Sequence, residues 1–238
     1  IKLKSPDLVK SHMDFSKESG DIRFGLNSIK GVSEKSLQSL RDFRESDTPT
    51  KYDIFLSAKQ AGLNIGILSA LIQAGALSEF KSRRPRLVLE AQAFNLLTDR
   101  EKRNFIALGE KHNFDILKSI EACLKEKLLG DDNRLVMSES RFNTFKKKYL
   151  LYKEIYDKNR RYEMFANWFF ETQLLGYSYS VSLKETFSNE FGALMDSNDL
   201  HSLSIGERGK FIAVVEDSVK RVSRNGNQYI RMELNDEV

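Results

Sequence analysis

Residues 22–44 read IRFGLNSIKGVSEKSLQSLRDFR, with a glycine, a hydroxyl and two lysines at one corner between apolar-periodic segments. Glycine at Gly31 permits a left-handed backbone and lets a large anion approach where a side chain would collide. Ser33 can cap the helix that follows, whose Leu37, Leu40 and Phe43 share a face, and its hydroxyl can also donate to an oxyanion. A helix start carries unpaired N–H groups and partial positive charge, and Lys30 and Lys35 add mobile cations on either side. The chemistry this spacing suits is phosphate binding, by Lys30, Gly31, Val32, Ser33 and Lys35. The same residues also fit a plain helical corner with a glycine turn and solvated lysines.

Other chemistries find less. His12, His112 and His201 have no ligand spacing, and Cys123 stands alone in an apolar pattern that reads as a buried structural thiol. The carboxylate pairs Asp131-Asp132 and Asp236-Glu237 could hold magnesium but lie in turn-like contexts that suit solvation. No glycine-rich nucleotide loop followed by Lys-Ser/Thr occurs. The residues therefore assign no catalytic group and no metal site. The chain of 238 residues is 40% hydrophobic and 30% charged, which fits a globular protein and excludes a disordered one. Its net charge of +4 and pI near 9.0 hint at a polyanionic partner. No apolar run approaches the roughly 18 residues of a membrane span, and IKLKSPDLVK is no signal peptide. The expected setting is cytoplasmic. A first residue other than methionine and a last segment that stops within a strand pattern read as part of a longer chain.

Helices must position the corner. Residues 1–25 are mixed and turn-rich; Tyr52–Gln60 reads as a helix stopped by Gly62, and Asn64 can cap a second helix ended by Gly75. These two make a further helical hairpin. Lys81, Arg83, Arg84 and Arg86 form a basic run that suits a solvated face and DNA contact equally. Pro85 opens a helix to about Leu97, and Thr98-Asp99-Arg100-Glu101 has capping-box spacing. Phe114–Leu129 is amphipathic. Ser140–Asn159 and Arg161–Leu175 read as long helices whose aromatic stripe packs a core, with Lys146, Lys147 and Lys148 on a face that suits solvation first and a second DNA-facing surface otherwise. After Gly176 the pattern changes. Phe211–Val215 and Gln228–Leu234 read as strands around Asn225-Gly226, a hairpin signal. Two strands are too few to bury a face alone. The predicted class is mostly α, followed by the beginning of a β domain: residues 1–98 a tandem helix-hairpin-helix region, 99–176 helical and of unassigned role, 177–238 a linker and first strands.

A glycine hairpin between two helices that offers amides to a sugar-phosphate backbone is helix-hairpin-helix chemistry. The order IRFGLNSIKGVSEKSLQSL, then LSALIQAGALSEF, then RRPRLVLEA resembles the bacterial DNA polymerase III alpha subunit, a C-family replicative polymerase. IKLKSPDLVKSHMDF, ETQLLGYSYS and the run from LSIGERGKF to RMELND are similar to further landmarks of that family in the same order. The sequence departs from it at Ser33, where a second hairpin glycine is usual, at Ser180-Val181-Ser182 in place of Gly-His-Pro, and across residues 99–168.

The resemblance implies a non-catalytic, sequence-independent grip on duplex DNA within a DNA-directed DNA polymerase, a nucleotidyltransferase whose catalytic palm and magnesium lie outside this chain. It implies phosphate contacts at the Lys30–Lys35 corner, with Asn64, Arg83 and Arg84 in support. The tail resembles the start of an OB-fold, an incomplete one here, where Lys220, Arg221, Arg224, Tyr229 and Arg231 are candidates for single-stranded template. A sliding clamp and other replisome subunits are implied partners, in the nucleoid, though Gln92–Leu97 and Arg141–Phe145 are poor copies of a clamp-binding peptide and read as helix core or helix surface. A helical scaffold that docks a replication partner, and a helix-hairpin-helix repair or nuclease protein, remain the alternatives.

Overall fold

The computed structural model describes residues 1–33, 50–60, 62–80, 82–113, 115–125, 128–130 and 133–236. The helix expected from Ser33, with Lys35, lies outside the described residues, as do Lys81, Asp131, Asp132 and Glu237.

The chain opens with a small sheet in the order β1-β3-β2, from β1 (Leu3–Lys4), β2 (Ser16–Glu18) and β3 (Asp21–Arg23). β1 runs parallel to β3, and β2 antiparallel to it with Glu18 opposite Asp21. Ser19 and Gly20, at φ 54° and 88°, form the two-residue turn between β2 and β3. Positive φ at both central residues matches the twist of a hairpin. The sequence carries no strand signal here, because elements of two or three mostly polar residues have no alternation. Charge holds this sheet. Glu18 accepts from Arg23 Nη2 at 2.7 Å and from Lys4 at 3.3 Å, and the Arg23 hydrogen bond holds its carboxyl down at about 2.

Helices follow: α1 (Lys51–Gln60), α2 (Ile65–Gln73), α3 (Arg84–Asn95), α4 (Asp99–Gly109), α5 (Ile116–Lys125), α6 (Glu139–Asn159) and α7 (Glu163–Leu175). Their ends follow the expected chemistry. Gly62 and Gly75 sit at φ 77° and 85° just past α1 and α2. In each, the glycine N–H and the next one reach back to carbonyls of the last turn, satisfying groups a helix end leaves orphaned. Asn64 Oδ1 caps α2 by accepting from the Ile67 N–H at 2.9 Å. Thr98 and Glu101 form the reciprocal box at the start of α4.

The hydrophobic core runs unbroken from Leu8 to Tyr149, crossing residue 98 without a seam. Phe94 and Leu97 on one side of that position and Phe105, Ile116 and Ile120 on the other are buried together. Phe94 and Phe145, from the two stretches once compared with a clamp peptide, are both core residues. Cys123 is half-buried, and burial pushes its thiol up to about 12, in keeping with an inert packing role.

Buried carboxylates join the helices. Glu90 of α3 accepts from Lys51 at 2.7 Å and Arg86 at 3.1 Å, and Glu101 of α4 accepts from Arg141 of α6 at 3.1 Å. A carboxylate out of water survives only when such donors replace the lost hydration.

Past α7 the chain differs from expectation. The stretch read as linker holds α8 (Leu183–Phe191) and the single turn α9 (Ser197–Leu200), with capping boxes at Ser182 and Asp196. The first strand is β4 (Val214–Val222) and not Phe211–Val215; Phe211 makes only an isolated bridge to Met195. β4 pairs antiparallel with β5 (Gln228–Asn235). Both strands are exposed along nearly their whole length, as two strands without a third layer must be. The fold is thus mostly α with a β beginning.

Lys102 generates a pH prediction. Its side chain is 1% exposed beside Lys59, Asp99 and the Phe94 ring, and burial lowers its amine from 10.5 to about 8. A lowered lysine pKa means the unfolded chain binds the proton more tightly, so stability rises with pH between those values. Above about pH 9 the sign reverses, because burial pushes the Cys123 thiol and the phenols of Tyr52 and Tyr179 up to about 12 and they ionise first in the unfolded chain. Urea midpoints are expected to climb from pH 7.5 to about 9. Lys102→Met flattens that climb.

Candidate nucleic-acid interface

The first corner is built by burial on either side of one exposed bend. A turn of 3-10 helix at Leu26–Ser28 leads into Ile29-Lys30-Gly31-Val32, closed by the Val32 N–H on the Ile29 carbonyl at 3.0 Å. Ile29 and Val32 are buried, which pins both shoulders of the bend, while Lys30, Gly31 and Ser33 are exposed. Gly31 sits at φ 85°, as the third residue of a type II turn requires. A Cβ there would meet nothing within 4 Å, so backbone conformation and not crowding selects glycine.

The structure corrects one expectation here. The bend does not turn a whole set of amides outward. The Lys30 N–H donates to the Leu174 carbonyl at the end of α7, 2.9 Å away, and that of Val32 closes the turn. The Gly31 N–H has no partner among the described residues, and the Lys30 ammonium makes no ion pair among them. What faces solvent is one amide, one mobile cation and an exposed hydroxyl residue.

The second corner is closed. Gly75 is buried, and a Cβ on it would lie 1.9 Å from the Tyr179 hydroxyl and 2.8 Å from Arg84 Nη2. Tyr179 donates to the Ala74 carbonyl at 3.1 Å and accepts from Arg84 Nη2 at 2.9 Å. Arg84 Nη1 donates to Glu171, a fully buried carboxylate of α7, and to the Gln73 carbonyl at 3.3 Å. Glu171 also accepts from Ser178 Oγ at 2.9 Å and from the N–H groups of Tyr179 and Ser180 at 2.7 and 3.0 Å. Arg84, expected among the phosphate ligands, is spent inside the protein instead. A guanidinium fork suits a carboxylate as well as a phosphate, so sequence alone leaves the choice of anion open.

The other expected contacts divide. Arg83 is exposed and meets Glu163 at 3.1 Å, a surface pair that water screens. Arg86 is tied to Glu90 and Asp115. Asn64 is exposed, with its side-chain oxygen engaged as a cap.

In the β4–β5 ribbon, the register sorts the single-strand candidates. Arg221 pairs with Tyr229, and Val219 with Arg231, so Arg221, Tyr229 and Arg231 share a face. Lys220 pairs with Ile230 on the opposite face, beside Val222, Met232 and Leu234. Arg224 lies in the connecting loop. There Ser223–Gly226 form a turn with Gly226 at φ 82°, a three-residue loop of bulged type. Among the described residues no three His, Cys, Asp or Glu side chains gather as a metal site, and no helix is long and apolar enough to cross a membrane.

Residues 1–87 match the family model described as the helix-hairpin-helix motif. The chain is also similar to the DNA polymerase III subunit alpha of Bacillus subtilis, 29% identical over 89 residues, and to that of Thermus aquaticus, 32% over 85. An error-prone DNA polymerase of Corynebacterium diphtheriae is 30% identical over 93 residues. These matches cover 35–39% of this chain and only 7–8% of the relatives' own length. The resemblance to the polymerase III alpha subunit is borne out over that stretch.

The Glu171 network can be tested by its parts. Glu171→Ala strands Arg84 without its counter-charge and is expected to cost about 3–5 kcal/mol. Tyr179→Phe leaves the Ala74 carbonyl unpaired at about 1–3 kcal/mol. Gly75→Ala, at positive φ and against Tyr179, destabilises as well. Urea unfolding of each variant gives the comparison; an unchanged midpoint for Glu171→Ala contradicts the network.

Proposed function

We propose that this chain is a non-catalytic part of a replicative DNA polymerase and grips duplex DNA without reading its sequence. The observation that carries the reading is the Gly31 corner. An exposed glycine in left-handed conformation, whose N–H and neighbouring lysine have no partner among the described residues, lies inside the stretch that matches the helix-hairpin-helix motif. An amide and a cation on a bend without a side chain suit a phosphate oxygen and carry no means of telling one base from another. Lys35 and the exposed Arg83 add cations to the same grip, and Ser33 a hydroxyl.

Contacts of this kind act by releasing counterions from the duplex, so affinity falls with salt by about 0.9 log units per neutralised phosphate per log unit. Few contacts give weak, mobile binding, which suits a protein that must hold any sequence while DNA moves past. The face of Arg221, Tyr229 and Arg231 extends the reading to a single strand, with cations along the backbone and a ring for a base. Nucleotide addition and its magnesium belong, on this reading, to other parts of the polymerase.

The test is fluorescence anisotropy of the chain with random-sequence duplex across a potassium chloride series. Lys30, Lys35 and Arg83 together are expected to give a log–log slope of about −3. Lys30→Glu with Lys35→Glu is expected to remove about 2 units of that slope, and to do so equally for any sequence. Absent or salt-insensitive binding favours a scaffold, and magnesium-dependent cutting of the duplex favours a nuclease.

A further inference from the structure

Helix α6 has two apolar faces and the protein covers one. Phe145 and Tyr149 are buried in the core. Leu151, Tyr152 and Ile155, on the outward side, are 57%, 37% and 63% exposed. Tyr152 and Ile155 form one wall of a groove of about 290 Å³, opposite Val88 and Leu89 of α3 and Phe170 of α7. That volume holds a few side chains and is small for a cofactor.

The charges around the groove are one-sided. Glu163, the one carboxylate lining it among the described residues, is held by Arg83. Arg160, at the end where α6 gives way to a 3-10 turn, makes no ion pair among the described residues. Lys153 and Lys158, nearby on α6, are instead matched by Asp157 and Glu154. Three side-chain amides, Gln73, Gln92 and Asn167, also line the groove and make no hydrogen bond among the described residues. Apolar walls exclude a phosphate backbone, a free guanidinium selects a carboxylate, and idle amides match the backbone groups of a peptide.

We propose that this groove docks a peptide segment of a partner protein, one that places aliphatic or aromatic anchors against Tyr152 and Ile155 and a carboxylate on Arg160. The site is separate from the Gly31 corner and meets the DNA grip only through Arg83, the partner of Glu163. Small clusters of this kind concentrate binding energy in a few anchors.

Panning a random dodecapeptide display library on the whole chain tests it, with an enriched peptide then synthesised and titrated by anisotropy. The expected consensus has two apolar anchors and an acidic residue. Ile155→Glu is expected to weaken that peptide about tenfold or more, and Arg160→Glu about fivefold, with melting temperatures unchanged because both residues are exposed. Retained duplex affinity in both variants separates this site from the DNA grip. No enrichment, a basic consensus, equal binding to Ile155→Glu, or loss of duplex affinity in place of peptide affinity overturns the proposal.

Discussion

One carboxylate sets the geometry of this molecule. Glu171 is withdrawn from water and accepts from a guanidinium, a hydroxyl and two backbone amides at once. Its desolvation is tolerable only because those donors replace the lost hydration. In return it fixes three things: the position of α3 through Arg84, the path of the chain after Gly176 through Tyr179 and Ser180, and the end of α7 itself. One turn further on, the Leu174 carbonyl holds the Lys30 amide. The open bend at Gly31 is therefore set by a helix far along the sequence.

The two glycine corners started alike and ended differently. Each has a glycine at positive φ next to buried aliphatics. At Gly75 the missing side chain makes room for a phenol and a guanidinium of the protein itself, while at Gly31 it leaves open space. The same property of glycine, close approach, serves an internal ligand in one place and solvent in the other.

Much of the fold was legible because its signals are local. Gly62, Gly75 and Gly176 stop helices, Asn64 and Thr98 start them, and the 3.6-residue period of α6 and α7 is plain. What escaped was non-local or short. The three-residue strands of the first sheet owe their existence to Glu18, Arg23 and Lys4 meeting across it. Arg84 looked like a phosphate ligand because nothing near it in sequence announces a buried partner at position 171. The aromatic stripe of α6 read as a single core face, yet Tyr152 and Ile155 fall outside that face. The amides of the bend were expected outward, and a carbonyl 144 positions away claimed one of them.

The seamless core across residue 98 has a consequence for how this protein can be divided. Phe94 and Leu97 share one buried cluster with Phe105, Ile116 and Tyr149, so the middle helices are a foundation for the first hundred residues and not a cargo attached to them. A cut at that point would lay bare a wide oily surface, the sort that drives misassembly. The matched motif and the middle helices must fold as one body.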